Sequence, residues 1–268
     1  MPDAYATIAQ QPRDVVETLA HALETRAASP QQRTMLEAYL AHLDFPDHAR
    51  VLEIGCGTGP VAAVLAQWPR VAEVVGVDPS PVLLEKARAL RGAIRNLSFQ
   101  EGDGRSLAFE NATFDTVVMH TLLSHIPSPD RVVAEAYRVL RPGGWLAIFD
   151  GDYATITVTK HPYDPLAMCI ESFKANFIND VWLMRRLPAL VTSLGFGVVR
   201  FASHGYTETA DPGYMLTIVD RGADALSTAG LIGQELAAAC KAEARRRAER
   251  GEFFGHIAYA SLLARKPA

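Results

Sequence analysis

The sequence lacks two features that mark particular classes of protein. Its 268 residues include only 3 cysteines, and Cys56, Cys169 and Cys240 are far apart and have no metal-ligand spacing. This indicates a reducing compartment, without a disulfide framework or a metal site. An excess of basic residues is also missing, because 26 Lys and Arg stand against 30 Asp and Glu. The balance argues against nucleic acid or an anionic membrane surface as a partner.

Long apolar segments are absent as well. No run reaches the roughly 18 apolar residues that predict a membrane-spanning helix. The N-terminal residues lack the apolar stretch of a signal peptide. We therefore expect a cytoplasmic protein, a monomer or homodimer, that has no membrane partner and binds a small molecule.

What is present is an alternation of short β-rich runs and amphipathic stretches, with 49% hydrophobic and 21% charged residues overall. This pattern predicts an α/β fold with a mostly parallel sheet. Ser-Pro pairs at Ser29, Ser80 and Ser128 indicate three helix starts. The strands are predicted at residues 50–54, 73–77, 97–100, 113–119, 145–149, 198–201 and 256–264. After Asp150 the rhythm breaks, and it resumes with a helix over 188–194.

A glycine-rich turn follows the first predicted strand and enters a predicted helix. Gly55, Gly57 and Gly59 allow positive φ and the close approach of a ligand to the backbone. The spacing is GxGxG, and Pro60 stands where a third glycine is found in some dinucleotide-binding turns. Glu53 at the same turn would repel a pyrophosphate and attract an ammonium group.

Two further carboxylates end the next predicted strands. Asp78 lies at the distance from Gly55 where an acidic side chain accepts both hydroxyls of a ribose. Asp103 ends the third strand and is a candidate acceptor for an adenine amino group, although a turn role is an alternative. One edge of the sheet thus offers carboxylates to an ammonium, a ribose and an adenine, and nothing obvious to a phosphate.

Six successive motifs resemble those of class I S-adenosylmethionine-dependent methyltransferases, in particular the ubiquinone/menaquinone-biosynthesis type, whose members mostly methylate small molecules. The match is good over about residues 50–150. The motifs are EIGCGTG at 53–59, VD at 77–78, GD at 102–103, FDTVV at 114–118, HIP at 125–127 and LRPGG at 140–144.

The resemblance implies a Rossmann-like three-layer sandwich with a seven-stranded, mostly parallel sheet and an antiparallel last strand. It implies a single domain with an N-terminal helical flap (1–48), a cofactor-binding core (49–150), a lid insertion after strand five (151–182) and a C-terminal part (183–268). The cofactor would be S-adenosylmethionine, with no metal. The predicted cofactor-binding residues are Glu53, Gly55, Cys56, Gly57, Gly59, Asp78, Pro79, Gly102, Asp103, Gly104 and His120.

The reaction implied is an SN2 methyl transfer to an oxygen, nitrogen or carbon of a small aromatic or apolar metabolite. Alignment of the reactants would lower most of the barrier, and a general base is needed only if the acceptor loses a proton early. No protein nucleophile is expected. Packing roles for both histidines stay open as alternatives. The candidate catalytic residues are His120, His125, Asp152 and Tyr153, with Asp150 also considered.

The segment 151–182 and the N-terminal helix are expected to cover the ligand edge of the sheet. An aromatic lid would favour a flat, apolar acceptor, and nearby cations would pair with an acidic group on it. The alternative is a local core with solvent-facing cations. The lid candidates are Tyr153, Tyr163, Phe173, Phe177 and Trp182, with Tyr5 from the flap and the cations Lys174, Arg185 and Arg186.

Three other functions compete with small-molecule methylation. A nicotinamide-dependent oxidoreductase predicts a glycine at position 60, which is Pro60 here. A non-catalytic protein that binds the adenosyl cofactor predicts affinity without an acceptor. Methylation of nucleic acid would call for a basic surface or a base-flipping motif, and neither is present.

Overall fold

A seven-stranded sheet organises the residues that the computed structural model describes, 3–209 and 211–268. The strand order is β3-β2-β1-β4-β5-β7-β6. The strands are β1 Ala49–Ile54, β2 Val71–Asp78, β3 Leu97–Glu101, β4 Phe114–His120, β5 Leu140–Thr157, β6 Gly197–Glu208 and β7 Gly255–Arg265. The pairs among β1 to β5 are parallel, whereas β7 is antiparallel to both β5 and β6. This confirms the predicted fold class and the antiparallel last strand.

Helices cover both faces of the sheet. They are α1 Arg13–Ala27, α2 Pro30–Leu40, α3 Pro60–Ala66, α4 Pro81–Arg91, α5 Pro129–Val139, α6 Ala167–Phe177, α7 Leu183–Ser193, α8 Tyr214–Thr228 and α9 Gln234–Glu249. Because successive strand side chains point to opposite faces, Val51 of β1 belongs to one buried cluster and its neighbour Leu52 to the other. The sheet therefore separates two apolar cores, one on each face, and helices cover both of them.

The Ser-Pro pairs mark helix starts, as predicted, since α2, α4 and α5 begin at Pro30, Pro81 and Pro129. Of the three serines, Ser80 caps its helix with its side chain, which accepts a hydrogen bond from the Leu83 N–H at 3.3 Å. Proline at the first helical position has the required φ and loses no intrahelical bond.

Two strands are much longer than the sequence predicted. β5 continues to Thr157 and β6 extends to Glu208, so the predicted lid segment 151–182 begins inside β5. Both strands pair with β7 far beyond the predicted ends. Pairing with a central partner holds residues 150–152 in a strand although Asp-Gly-Asp has low strand propensity.

The seventh helix also begins earlier than predicted. α7 starts at Leu183, and Pro188 lies inside it rather than at its first turn. The predicted helix covers only residues 188–194, but the buried face formed by Leu183, Met184 and Leu187 extends the helix in the N-terminal direction.

The N-terminal flap packs against α4 and the glycine turn that follows β1. Val16 and Leu19 of α1 form a small apolar cluster with Leu83 of α4. Further along α1, the Glu24 carboxylate accepts hydrogen bonds from Thr58 Oγ1 at 2.5 Å and from Arg91 at 2.8 Å. α1 is thus tied directly to the glycine turn. Met1 and Pro2, which belong to the predicted flap, lie outside the described residues.

Candidate functional site

A cavity of about 240 Å³ lies where β1, β2 and β4 end. This is the edge at which ligands bind in open α/β sheets. The ends of these strands and the turns that follow them form one side. The N-terminal segment and side chains of α1, α6 and α8 form the other. The cavity therefore lies between the strand ends on one side and the N-terminal segment and helices on the other.

The glycine turn after β1 requires glycine for two separate reasons. Gly55, Gly57 and Gly59 have φ of +73°, +55° and +82°, which residues with a Cβ rarely adopt. A Cβ on Gly55 would lie 2.5 Å from a Leu122 methyl group, and one on Gly59 would lie 2.6 Å from the Phe99 ring. Gly55 and Gly57 line the cavity. Gly59 instead lets α3 begin close to β3, so it shapes the turn without facing a ligand.

Asp78 is fixed by the same turn. Its Oδ2 accepts a hydrogen bond from the Gly57 N–H at 2.9 Å, and its Oδ1 accepts one from the Ser80 N–H at 2.9 Å. Burial raises the pKa of Asp78 to about 6, against the opposing effect of these two donors. The carboxylate is thus oriented by backbone groups, and its remaining lone pairs can accept bonds from hydroxyl groups in the cavity.

Glu53 lines the cavity with an unsatisfied carboxyl group. The residue is 2% exposed, and its Oε2 has no hydrogen-bond partner among the described residues. Burial raises the pKa of Glu53 to about 8, and the nearby Asp78 charge acts in the same direction. The carboxyl group has a backbone hydrogen bond from Ala62 but is otherwise unsatisfied, and a buried acid of this kind is costly to ionise. The group is therefore suited to a cationic ligand that would lower its pKa.

The third predicted carboxylate, Asp103, also lines the cavity but already has a partner. Arg105 donates to both of its oxygens, at 3.0 Å to Oδ1 and at 2.7 Å to Oδ2, and these bonds lower the pKa of Asp103. Arg105 is a cavity residue that the sequence analysis did not single out. The other predicted cofactor residues that face the cavity are Cys56, Pro79, Gly102, Gly104 and His120, and burial raises the pKa of the Cys56 thiol.

His120 and Tyr153 face the cavity from the ends of β4 and from β5. His120 Nδ1 is 3.1 Å from the Tyr39 hydroxyl oxygen, and its ring stacks on Phe149. Burial, assisted by the Arg26 charge, holds the pKa of His120 well below its usual range. Burial raises the pKa of Tyr153 well above the ordinary value. Both groups are therefore uncharged near neutral pH.

His125 is oriented by an N-terminal carboxylate. Its Nδ1 is 2.8 Å from Asp3 Oδ2 and 3.0 Å from the Phe177 carbonyl oxygen. Both partners are acceptors, so Nδ1 carries the proton and Nε2 keeps a lone pair in the neutral ring. Asp3 also accepts hydrogen bonds from the N–H groups of Tyr5 and Asn179. No sequence pattern pointed to Asp3, which is 122 residues away from His125.

Two acidic candidates lie outside the cavity lining. Asp152 follows Asp150 on β5 and pairs with Arg185 at 2.9 Å. Asp150 accepts hydrogen bonds from the N–H and Oγ of Ser124 and from the Gly151 N–H. Asp150 thereby fixes the turn that carries His125, and neither carboxylate is placed to meet a ligand.

The predicted aromatic lid is divided by the structure. Tyr5, Tyr153 and Phe173 line the cavity, and Phe177 stacks on Phe173. Tyr163 and Trp182 are 91% and 50% exposed and do not line it. The three predicted cations are each occupied on the surface: Lys174 by Glu171, Arg185 by Asp152 and Arg186 by Asp180.

Arg26 is a cavity residue that the sequence analysis missed. It donates to Thr121 Oγ1 at 2.6 Å. Thr121 directly follows β4 and has φ of +54°, a conformation that is strained for a β-branched residue and frequent at functional sites. Arg26 lies two helical turns after Leu19 and therefore on the same face of α1. A cation on the buried apolar face of a helix is the sequence pattern that could have identified it.

These residues fit S-adenosylmethionine. Its methionine part carries one ammonium and one carboxylate group, and the cavity offers a Glu53 carboxyl group with one unsatisfied oxygen and a guanidinium on Arg26. The nucleoside part carries the ribose hydroxyls for which Asp78 has free lone pairs. Gly55 and Gly57 leave room that a Cβ would fill.

Comparisons with known proteins agree with this geometry. Residues 52–148 match a family described as a methyltransferase domain. The chain is similar to an uncharacterized methyltransferase of Schizosaccharomyces pombe, with 35% identity over 123 residues, 43% of this chain and 44% of the relative. It is also similar to a ubiquinone/menaquinone biosynthesis C-methyltransferase of Desulfotalea psychrophila, with 38% identity over 106 residues, 39% of this chain and 42% of the relative.

Over residues 52–148 the chain is similar to a methyltransferase domain. This confirms the resemblance stated from the motifs. Among solved structures, the cyclase SpnF aligns with a TM-score of 0.63 at 19% identity over 100% of this chain and 98% of that chain. At that identity the likeness concerns the fold, and fold alone does not define an activity.

The matched region of the methyltransferase relatives is only part of their length. The chain spans 44%, 53% and 41% of three curated relatives that it matches. Their activities therefore do not transfer as a whole. Among the described residues, no helix combines the length and the apolar character of a membrane span.

Proposed function

We propose that the protein transfers a methyl group from S-adenosylmethionine to an oxygen, nitrogen or carbon of a small, flat, largely apolar molecule. The observation that supports this most strongly is the buried Glu53 carboxyl group, which has a free oxygen in a glycine-lined cavity that also contains Arg26. Few common cofactors present a cation and an anion together with a nucleoside.

In this proposal each part of the cofactor has its own partner. Glu53 binds the ammonium group, Arg26 the carboxylate and Asp78 the ribose hydroxyls. Asp103 and the turn around it bind the adenine. When bound, S-adenosylmethionine supplies an electrophilic methyl group on a positively charged sulfur.

The other half of the cavity would hold the acceptor. Tyr5, Tyr153, Tyr214 and Phe173 supply apolar walls and hydroxyl donors, and all of them line the cavity. Such walls orient a flat molecule and exclude water. Alignment of the reacting atoms is the main source of rate enhancement that this arrangement supplies. His120, which is uncharged, adds no repulsion against a positively charged sulfur.

For an acceptor that must lose a proton, such as a phenol or alcohol, we propose His125 as the base. Asp3 fixes the ring so that the Nε2 lone pair is free to take the proton, and it stabilises the imidazolium that forms. The Asp3 carboxylate acts through the histidine and is a positioning residue. Asp152, which is paired with Arg185, has no role in this proposal.

Two alternatives remain distinct from methyl transfer. A nicotinamide-dependent oxidoreductase would need to place a pyrophosphate near the buried Glu53 and at a turn that ends in Pro60, and both features disfavour it. A non-catalytic protein that binds the adenosyl cofactor would share the cofactor half of the cavity. It would not need a His125 oriented by Asp3.

The decisive experiment combines binding and turnover. Calorimetry with S-adenosylhomocysteine and with NAD in parallel should show binding of the first only. Incubation with methyl-labelled S-adenosylmethionine and a metabolite extract, followed by mass spectrometry, should then reveal a labelled small molecule. Binding without any labelled product would favour the non-catalytic protein, and binding of NAD alone would contradict the proposal.

A further inference from the structure

Arg221 of α8 is a cavity cation that has no anionic partner among the residues that the structure describes. Its Nε donates to the Thr217 carbonyl oxygen at 3.2 Å, one turn earlier in the same helix. Among residues 3–209 and 211–268, no carboxylate lies within ion-pair distance of it. By contrast, the neighbouring surface cations Lys174, Arg185 and Arg186 each pair with an acid. The guanidinium is therefore held in place but not neutralised.

Aromatic rings hold this guanidinium at the acceptor side. Its central carbon lies 4.7 Å from the Phe173 ring centre and 5.3 Å from that of Phe177. Stacking on aromatic faces leaves the edge of the guanidinium, with its N–H donors, available to a ligand. Arg221 also acts electrostatically on the Tyr5 phenol, as Arg26 does, so both cations lie near the same wall.

Arg26 and Arg221, the cavity cations that form no ion pair among the described residues, differ in what surrounds them. Arg26 is bonded to Thr121, directly after β4, where the methyl donor would lie. Arg221 extends from α8 onto the rings of α6, which form the acceptor wall. A half-buried cation without a counterion carries a desolvation cost, and an anionic ligand would offset that cost.

We propose that Arg221 binds a carboxylate group of the methyl acceptor, so that the substrates are small aromatic or apolar carboxylic acids. The inference rests on the proposed function and narrows its substrate class. A planar guanidinium pairs with a carboxylate through two parallel hydrogen bonds. The apolar walls of Phe173 and Tyr153 then take the uncharged body of the acceptor.

The test uses protein saturated with S-adenosylhomocysteine and three matched pairs of probes. These are benzoate with benzyl alcohol, phenylacetate with 2-phenylethanol, and 4-hydroxybenzoate with 4-hydroxybenzyl alcohol. Calorimetry should show that at least one acid binds tenfold or more tightly than its alcohol. If no acid binds more tightly than its alcohol, the inference is wrong, whatever happens to any variant.

Variants test which residue causes the preference for an acid over its alcohol. Arg221→Met should abolish it, and Arg221→Lys should retain part of it because the charge remains but the planar fork is lost. Arg185→Met is the matched control, since its guanidinium is paired with Asp152 and stacked on Trp182, and it should keep the full preference. A preference that survives in Arg221→Met, or disappears in Arg185→Met, would overturn the assignment.

The two proposals fail in different ways. All variants should bind S-adenosylhomocysteine within about twofold of the wild type, which also shows that they fold. If the wild type does not bind S-adenosylhomocysteine, the proposed function is wrong and this inference falls with it. If it binds S-adenosylhomocysteine and shows no preference for acids, only the substrate class is wrong.

Discussion

The two halves of the cavity are built in different ways. The cofactor half consists of turns that directly follow β1, β2 and β3, and it contains Glu53, Asp78 and Asp103. The acceptor half consists of side chains from α6, α8 and the N-terminal segment and contains Arg221, and Arg26 of α1 lies at the boundary between the two halves. One half is acidic and shaped by backbone, and the other is basic, aromatic and shaped by side chains. The comparison teaches that the ends of parallel strands position one half of the cavity, whereas the packing of helices positions the other half.

The largest effect is expected at Asp78 in the cofactor half. Asp78→Ala removes a charged acceptor of two ribose hydrogen bonds, each worth about 1.5–3 kcal/mol, so S-adenosylhomocysteine should bind at least about a hundredfold more weakly. Calorimetry measures the change. Asp130→Ala, at an exposed position on α5, is the control and should bind normally. An affinity of Asp78→Ala within threefold of wild type would show that Asp78 does not bind the ribose.

Arg26 tests where the boundary between the halves lies. Arg26→Met should weaken S-adenosylhomocysteine binding about thirtyfold, roughly 2 kcal/mol for a charged pair. It should leave 5′-methylthioadenosine, which has no amino-acid part, unaffected. Arg13→Met, an exposed cation on the same helix that pairs with Glu17, serves as control. Equal losses for both ligands would mean that Arg26 supports the fold and does not bind the carboxylate.

Glu53 gives the acidic half a pH signature. Its pKa is about 8 in the protein, far above the unfolded value, so the folded state binds more protons and its stability should fall as pH rises from about 5 to 8. Asp78, with a pKa of about 6, adds to the lower part of this range. Melting temperatures across pH should show the fall without ligand and a smaller one with S-adenosylhomocysteine.

The same residue should release a proton on binding. At pH 7, calorimetry in buffers of different ionisation enthalpy should detect the release of between about half and one proton per S-adenosylhomocysteine bound. Glu53→Gln should abolish the release and weaken binding about tenfold. Glu110→Gln, an exposed change, should alter neither. Proton release that persists in Glu53→Gln would assign the linkage to another group.

The smallest effect is expected at the edge of the acceptor half. Trp182 is half exposed and stacks on Arg185 outside the cavity, so Trp182→Ala should leave acceptor binding within twofold. Phe173→Leu, at a cavity residue that Arg221 contacts, should weaken acceptor binding several-fold. Titrating the acid probes into the S-adenosylhomocysteine complex compares them. A stronger effect from Trp182 than from Phe173 would show that Trp182 contacts the acceptor, as the sequence analysis expected of a lid residue.

The predictability of each half follows from its construction. Gly55, Asp78 and Asp103 lie at the ends of consecutive strands, and parallel topology brings such positions together. Sequence spacing was therefore enough to find them. The mostly parallel sheet also followed from the alternation of elements, and the antiparallel β7 followed from the resemblance.

The acceptor half could not be predicted in the same way. Arg221 and Phe173 are brought together by the packing of α6 on α8, and Asp3 reaches His125 across 122 positions. Contacts of this kind leave no periodic pattern of apolar residues in the sequence. The lengths of β5 and β6 were missed because pairing with β7, and not local propensity, determines where they end.

A crystal structure of the protein with S-adenosylhomocysteine would test the division of the cavity most directly. The account predicts the amino nitrogen of the ligand beside Glu53, its carboxylate beside Arg26, its ribose hydroxyls on Asp78, and open space next to Arg221. A ligand in the opposite orientation, with its carboxylate at Arg221, or an empty cavity at saturating concentration, would contradict it.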